Sequence, residues 1–125
     1  MDPRSTQSGP TPVNVRDMEV RFESNELLSP GETFCFIDTL DDDRCTAFKG
    51  QQLVVDDEIS PLFEIVSLCV GNELQIEHMK ASLYDETSED LSMDVASKIK
   101  PLALVIKNIS RKASPFKAVI KGRAV

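Results

Sequence analysis

The chain has 125 residues, 41% of them hydrophobic and 28% charged, with a formal net charge of −7. That is the length of one domain able to fold without disulfide or metal staples, and no apolar run approaches the ~20 residues a membrane helix needs, so no span is expected. The first residues, MDPRSTQSGPTPVN, lack the apolar core of a secretion signal, which makes a cytosolic origin the default.

The charge is sorted by position. All 21 acidic residues lie at or before Asp94, whereas Lys98 to Val125 holds eight of the 14 bases and no acid. If the fold keeps these stretches apart, the molecule has two opposed surfaces, suited to head-to-tail contact between copies or to holding a polyanion.

Residues 1 to 14, rich in Pro, Ser and Thr, read as a flexible N-terminal arm, and residues 15 to 125 as one domain. From Met18 the pattern alternates: Met18, Val20 and Phe22 oppose Glu19, Arg21 and Glu23, as in a half-buried strand. Ser29-Pro30-Gly31 breaks the chain. Thr33 to Thr39 is apolar on both faces until Asp38 and predicts a strand covered on both sides. Asp41-Asp42-Asp43 makes an exposed turn, followed by short strands at Thr46 to Phe48 and Leu53 to Val55 around a bulge at Gly50.

A second acidic turn, Asp56-Asp57-Glu58, precedes a central strand from Phe63 to Val70, with Gly71-Asn72 as a hairpin turn into Leu74 and Ile76. His78 to Glu86 fits one helical turn or an irregular crossing equally well. Leu91, Met93 and Val95 alternate as a further strand. Residues 101 to 125 then read as a final hairpin: a doubly buried strand through Leu102, Leu104 and Ile106, a turn at Arg111 to Pro115, and a strand with Phe116, Ala118, Ile120, Gly122 and Ala124 facing the core. Its other face carries Lys117, Val119, Lys121 and Arg123. Short strands at regular spacing, without a convincing helical period, predict an all-β antiparallel sandwich or barrel of seven or eight strands.

Little in the sequence supports catalysis. Cys35, Cys45 and Cys69 lack CxxC spacing, Cys35 and Cys69 sit in apolar runs, and His78 is the only histidine. The five glycines are isolated from one another, no GxSxG elbow is present, and nothing selects an acid–base pair from 21 carboxylates. The acidic turns lack the spaced D-x-D-x-D-G of a calcium loop, which favours solvated turns over metal binding. Asn108-Ile109-Ser110 fits the N-glycosylation pattern, and with no secretion signal recognised a chance match at a strand end is the expected reading. No enzyme activity, metal or cofactor is expected.

The basic end carries the sharper hypothesis. Its cations could contact phosphates, but base-stacking aromatics are missing, since Phe116 is the only aromatic after Tyr84 and points to the core. A subunit interface is favoured, in which Lys107, Lys117, Val119, Lys121 and Arg123 meet Asp41, Asp42, Asp43, Asp56, Asp57 and Glu58 of an adjacent copy, with apolar side chains such as Ala103, Val105 and Val119 buried beside that contact. Nucleic-acid contact is the less favoured alternative.

Three stretches together resemble the small single-jelly-roll structural proteins of viruses and phages. They are Phe48-Lys49-Gly50-Gln51-Gln52-Leu53-Val54-Val55, Ile65-Val66-Ser67-Leu68-Cys69-Val70-Gly71-Asn72, and Leu104-Val105-Ile106-Lys107-Asn108 leading to Phe116-Lys117-Ala118-Val119-Ile120-Lys121-Gly122. The resemblance implies a single jelly roll that self-assembles into a symmetric oligomer or shell, as a capsid or virion subunit alongside other virion proteins. The arm departs from many coat proteins in carrying only Arg4, and Arg16 just beyond it, against Asp2 and Asp17. The chain is also similar to the acidic, oligomeric nucleoplasmin-like histone chaperones, though without their Gly-Ser-Gly-Pro hairpin or long acidic tract. A sugar- or small-ligand-binding sandwich ranks third.

Overall fold

The computed structural model describes residues 15–41 and 44–125. The arm expected at residues 1–14 and two of the expected interface residues, Asp42 and Asp43, lie outside the described residues.

The chain forms a sandwich-like all-β fold of two antiparallel, four-stranded sheets. The strands are β1 (Arg16–Glu23), β2 (Thr33–Asp38), β3 (Phe48–Val55), β4 (Phe63–Val70), β5 (Glu73–Lys80), β6 (Val95–Ala96), β7 (Leu102–Asn108) and β8 (Lys117–Ala124). One sheet has the order β1-β8-β3-β6, the other β2-β7-β4-β5. The pairing is nested: β4 meets β5, β3 meets β6, β2 meets β7 and β1 meets β8. Contacts β3–β8 and β4–β7 then join these pairs into the two sheets.

The expected final hairpin is therefore not formed, because β7 and β8 belong to different sheets. The connection between them crosses the sandwich and is anchored on the way. Leu28 and Ser114 exchange backbone hydrogen bonds at 2.8 and 3.1 Å. The side-chain amide of Asn108, fully buried, donates to the carbonyls of Leu28 and Lys112, both at 2.9 Å, while its oxygen accepts from the Ser110 N–H and hydroxyl. Asn108 thus acts as a tie between two loops, and its amide is committed to that role.

Three other expectations change. The Thr33–Asp38 strand is an edge strand whose outer side chains, Cys35 and Ile37, are exposed, so apolar residues on both faces did not mean cover on both faces. Of the strand expected at Leu91 to Val95 only Val95–Ala96 pairs. The preceding residues run irregularly beside β3, with Leu91 N–H donating to Gln51 O and Met93 N–H to Gly50 O, and Met93 is still buried. In β4 the expected alternation shifts by one after Ile65, because a bulge opposite β7 spans Ile65 to Ser67; Phe63, Ile65, Leu68 and Val70 all face inward. The Gly71 turn into β5 and the irregularity at Gly50 are as expected.

The inner faces bury Val20, Phe48, Leu53, Ile120 and Ala124 from one sheet against Ile65, Leu68, Leu102, Leu104 and Ile106 from the other. Phe36 links Phe22, Phe34 and Phe116 at centroid distances of 4.8 to 5.8 Å, and Phe116 packs edge-on to Phe63 at 5.0 Å. Such pairs add about 0.5–1.5 kcal/mol each beyond area burial.

Gly50 and Gly122 face each other across β3 and β8. A Cβ on Gly122 would clash with the Lys49 carbonyl oxygen and the Gly50 Cα, and one on Gly50 would lie 2.7 Å from Met93 Sδ and 2.8 Å from Ile120 Cγ2. The first clash is with backbone and cannot be relieved by a rotamer. Gly122→Ala is therefore expected to destabilise the protein by about 2–3 kcal/mol in urea denaturation, against a smaller loss for Gly50→Ala, whose close neighbours are side-chain atoms, the flexible Met93 and the stiffer Ile120. Asn108→Ala should cost about 1–3 kcal/mol by removing the hydrogen bonds through which the buried side chain joins Leu28, Ser110 and Lys112, although Leu28 O keeps the Ser114 N–H and Lys112 O keeps the Ser110 hydroxyl; a Tm unchanged from wild type would contradict the tie.

Candidate assembly surfaces

The basic ladder lies on the outer face of the β1-β8-β3-β6 sheet, where the fold sets acidic β1 beside it. Asp17 opposes Arg123, Glu19 opposes Lys121 and Glu23 opposes Lys117. Arg123 Nε reaches Asp17 at 3.5 Å, and Lys121 Nζ lies 2.7 Å from Glu86 Oε2 in the loop after β5. The two stretches of opposite charge are thus interleaved on one sheet, contrary to the two separate surfaces expected. Val119 sits between Arg21 and Val54 on the same face and is partly buried.

The loop bearing Glu86 is fastened to this face. Gln52 Nε2 donates to the carbonyls of Glu86 and Ser88, both at 3.1 Å. The Asp85 carboxylate accepts from the Thr87 hydroxyl at 2.6 Å and its N–H at 2.8 Å, and those donors hold its pKa below the usual value. Together these bonds cover part of β3 with polar chain.

The acidic turns fall at opposite ends of the sandwich. Asp41 follows β2, near Arg44, whose guanidinium forks onto Asp38 at 2.6 and 3.2 Å and donates to the Asp41 carbonyl at 3.2 Å. Asp56 follows β3 at the other end, where its carboxylate accepts the Glu58 N–H at 2.9 Å and its own N–H donates to Lys117 O at 3.0 Å. Asp56 and Lys117, expected on two different copies, are neighbours within one molecule, while Asp57 and Glu58 are exposed. Lys107, also expected beside the ladder, is exposed on the other sheet.

No group of three or more His, Cys, Asp or Glu side chains could hold a metal among the described residues. A cleft of about 560 Å³ at the Asp41 end is lined by Arg16, Arg44, Cys45, Lys98 and Val125, but Arg44 is already engaged with Asp38. No helix among the described residues is long and apolar enough to cross a membrane.

The outer face of the β2-β7-β4-β5 sheet, by contrast, is partly apolar. Register places Ile37, Ala103, Cys69 and Leu74 in one row across all four strands. Ile37 is 66% and Leu74 50% exposed. The next row is Cys35, Val105, Ser67 and Glu77, and the third is Thr33, Lys107, Glu64 and Lys80. Of this surface, sequence reasoning picks out Ala103 and Val105, as apolar side chains beside a contact between copies, but not Ile37, Cys69 or Leu74, because the residues come from four separate strands and meet only through register. The doubly apolar pattern of Thr33 to Thr39 and of Leu102 to Ile106 is the available signal, and it suits burial on both sides as well as one exposed apolar face.

Cross-strand placement makes charge reversal of the ladder a folding perturbation. Lys117→Glu, Lys121→Glu and Arg123→Glu combined should set like charges against Glu23, Glu19 and Asp17 and cost about 1–2 kcal/mol at low salt. Adding Asp17→Lys, Glu19→Lys and Glu23→Lys should restore the thermal midpoint; a triple variant as stable as wild type would show the rows to be uncoupled. In comparisons with protein-family models, with curated proteins and with solved structures, no match to the chain was found.

Proposed function

We propose that the chain is a non-enzymatic jelly-roll subunit that self-assembles into a symmetric oligomer or shell, as a virus or phage capsid or virion component assembled in the host cytoplasm. The observation that carries the reading is the nested strand order. Pairing first with last, second with seventh, third with sixth and fourth with fifth is what results when one long hairpin is rolled into two sheets, and jelly rolls of two Greek keys have this organisation. That architecture occurs in capsid proteins but also in lectins and cupins, so the strand order supports the fold name more strongly than the role.

Surface chemistry favours assembly over a ligand pocket. Exposed Lys107, Lys117, Asp41, Asp57 and Glu58 form no side-chain ion pair among the described residues, and are the members of the expected interface set free to meet a neighbouring copy. Lys121 and Arg123 are already paired within the molecule.

A histone-chaperone-like role is the second reading. Its support is the pair of acidic segments that start side by side, the turn at Asp56 and the loop from Asp85, joined by the Val55 N–H bond to Tyr84 O, before the loop carries Glu86, Glu89 and Asp90 back along β3. A histone pull-down that depends on Asp57 and Glu58 would favour it.

Mass photometry and light scattering over a salt and concentration series test the primary reading. Discrete oligomers or larger particles are expected, weakening when Lys107→Gln and Lys117→Gln are introduced. A monodisperse monomer at high concentration and low salt overturns the proposal. Intact assembly with loss of bound DNA or RNA in the same variant would point instead to polyanion binding.

A further inference from the structure

We infer that the outer face of the β2-β7-β4-β5 sheet is an isologous contact with a second copy of this chain, its two-fold axis running along the strands between β7 and β4. The inference rests on the self-assembly reading and specifies which surface performs it.

The two outer faces of the molecule differ in kind. The β1-β8-β3-β6 face carries cross-strand charge pairs and is partly roofed by the loop fastened through Gln52 and Glu86. Of its basic ladder, Lys121 and Arg123 are already paired within the molecule, which leaves Lys117 without an ion pair among the described residues. The other face offers Ile37 and Leu74 to solvent at the ends of a row whose middle is Ala103 and Cys69. Exposed Ile and Leu scattered singly need no explanation; aligned with two further apolar side chains across a whole sheet, they form a patch.

A second copy is the occupant because the face complements itself. Sheets pack face to face with strand directions nearly aligned, ~10 Å apart. A two-fold axis along the strands exchanges the two outer columns with each other and the two inner columns with each other, so β2 of one copy lies over β5 of the other, and β7 over β4. Ile37 then meets the second copy's Leu74, and Ala103 meets its Cys69. In the third row, Lys107 meets the second copy's Glu64, a carboxylate that already lies 3.5 Å from His78 Nδ1 and opposite Lys107 in its own chain, and the symmetry makes this contact twice. The rows above contain two lysines and two glutamates, so the face is neutral in a chain of net charge −7, and long-range repulsion between copies is weakest here.

Size sets the strength. Twelve outward residues at ordinary strand spacing cover roughly 400 Å² per copy, about half of a standard partner surface. The contact is therefore weak alone, as suits a unit that gains avidity from several contacts in a closed assembly.

The test is sedimentation equilibrium of the full chain at high micromolar concentration, with circular dichroism to verify folding. Leu74→Glu and Ile37→Asp, both on exposed side chains, should each weaken the dimer at least about tenfold, the effect of exposing one buried aliphatic side chain. Lys107→Glu alone and Glu64→Lys alone should each be monomeric, since each homodimer would face like charges twice. Mixed in equal amounts they should associate again, because both contacts of the heterodimer become Glu–Lys. That rescue cannot arise from changes within one molecule. If the mixture stays monomeric while wild type dimerises, or if Leu74→Glu and Ile37→Asp associate like wild type, this surface is wrong although self-assembly stands. A wild-type chain that is monomeric throughout overturns both.

Discussion

Nested antiparallel pairing is the constraint on which the rest of the structure depends. Because the chain is doubled back at the Gly71 turn, each strand before that point meets a strand after it. Only β4–β5 is a local hairpin; every pair further out closes a longer loop. Closing β1 onto β8 from an open chain is slow, but once β4–β5 and β4–β7 are in place each added pair closes only the remaining segment, and the entropic cost grows slowly with length. The same doubling dictates how charge is distributed. A sequence with acids before residue 95 and bases after 97 looks like a dipole when extended. Folded at its midpoint, it becomes a set of cross-strand pairs, with Asp17 beside Arg123 and Glu19 beside Lys121.

Rolling one long hairpin into two sheets demands local departures from regular alternation, and the sequence meets them in different ways. At Gly122 the backbone of β3 comes too close for any side chain, and opposite it the bare Gly50 leaves room for Met93 and Ile120 to pack against β3 and complete the core. In β4 a bulge after Ile65 advances the pleat by one residue, so that both Ile65 and Leu68 face inward. Leu40 has φ of 57° yet is fully buried; the Asp38 carboxylate receives its N–H at 2.8 Å, while Arg44 holds that carboxylate from outside. Polar groups at the loop thus stabilise a backbone conformation that leucine disfavours, by about 1 kcal/mol or more.

The all-β class, the two-sheet architecture and the positions of most strands were legible because period-two alternation is recorded locally, as in Met18 to Glu23 and Phe116 to Ala124. Which strand neighbours which was not. The alternation of Leu102 to Ile106 and of Lys117 to Arg123 is the same whether the two form a hairpin or lie in opposite sheets. What separates those cases is the crossing segment, held by Asn108 to Leu28, some 80 residues away in sequence. The edge position of β2 was equally hidden, since an apolar outer face reads alike whether another layer of the same chain covers it or another molecule does.

That ambiguity bears on how the two outer faces differ. Hydrophobic side chains on both sides of a strand are ordinary in a sheet covered twice, yet this molecule has only two layers. Along β7, Leu102, Leu104 and Ile106 are fully buried, whereas Ala103 and Val105 point away from the core and remain partly exposed. Small side chains at those two central positions keep the apolar area that faces water modest, and the large ones, Ile37 and Leu74, stand on the edge strands β2 and β5. A sheet face tuned only for water would carry the alternating charges found on β1 and β8. The apolar row of Ile37, Ala103, Cys69 and Leu74, with balanced Lys107 and Glu64 two rows away, is the part of this face that the proposed self-contact would cover.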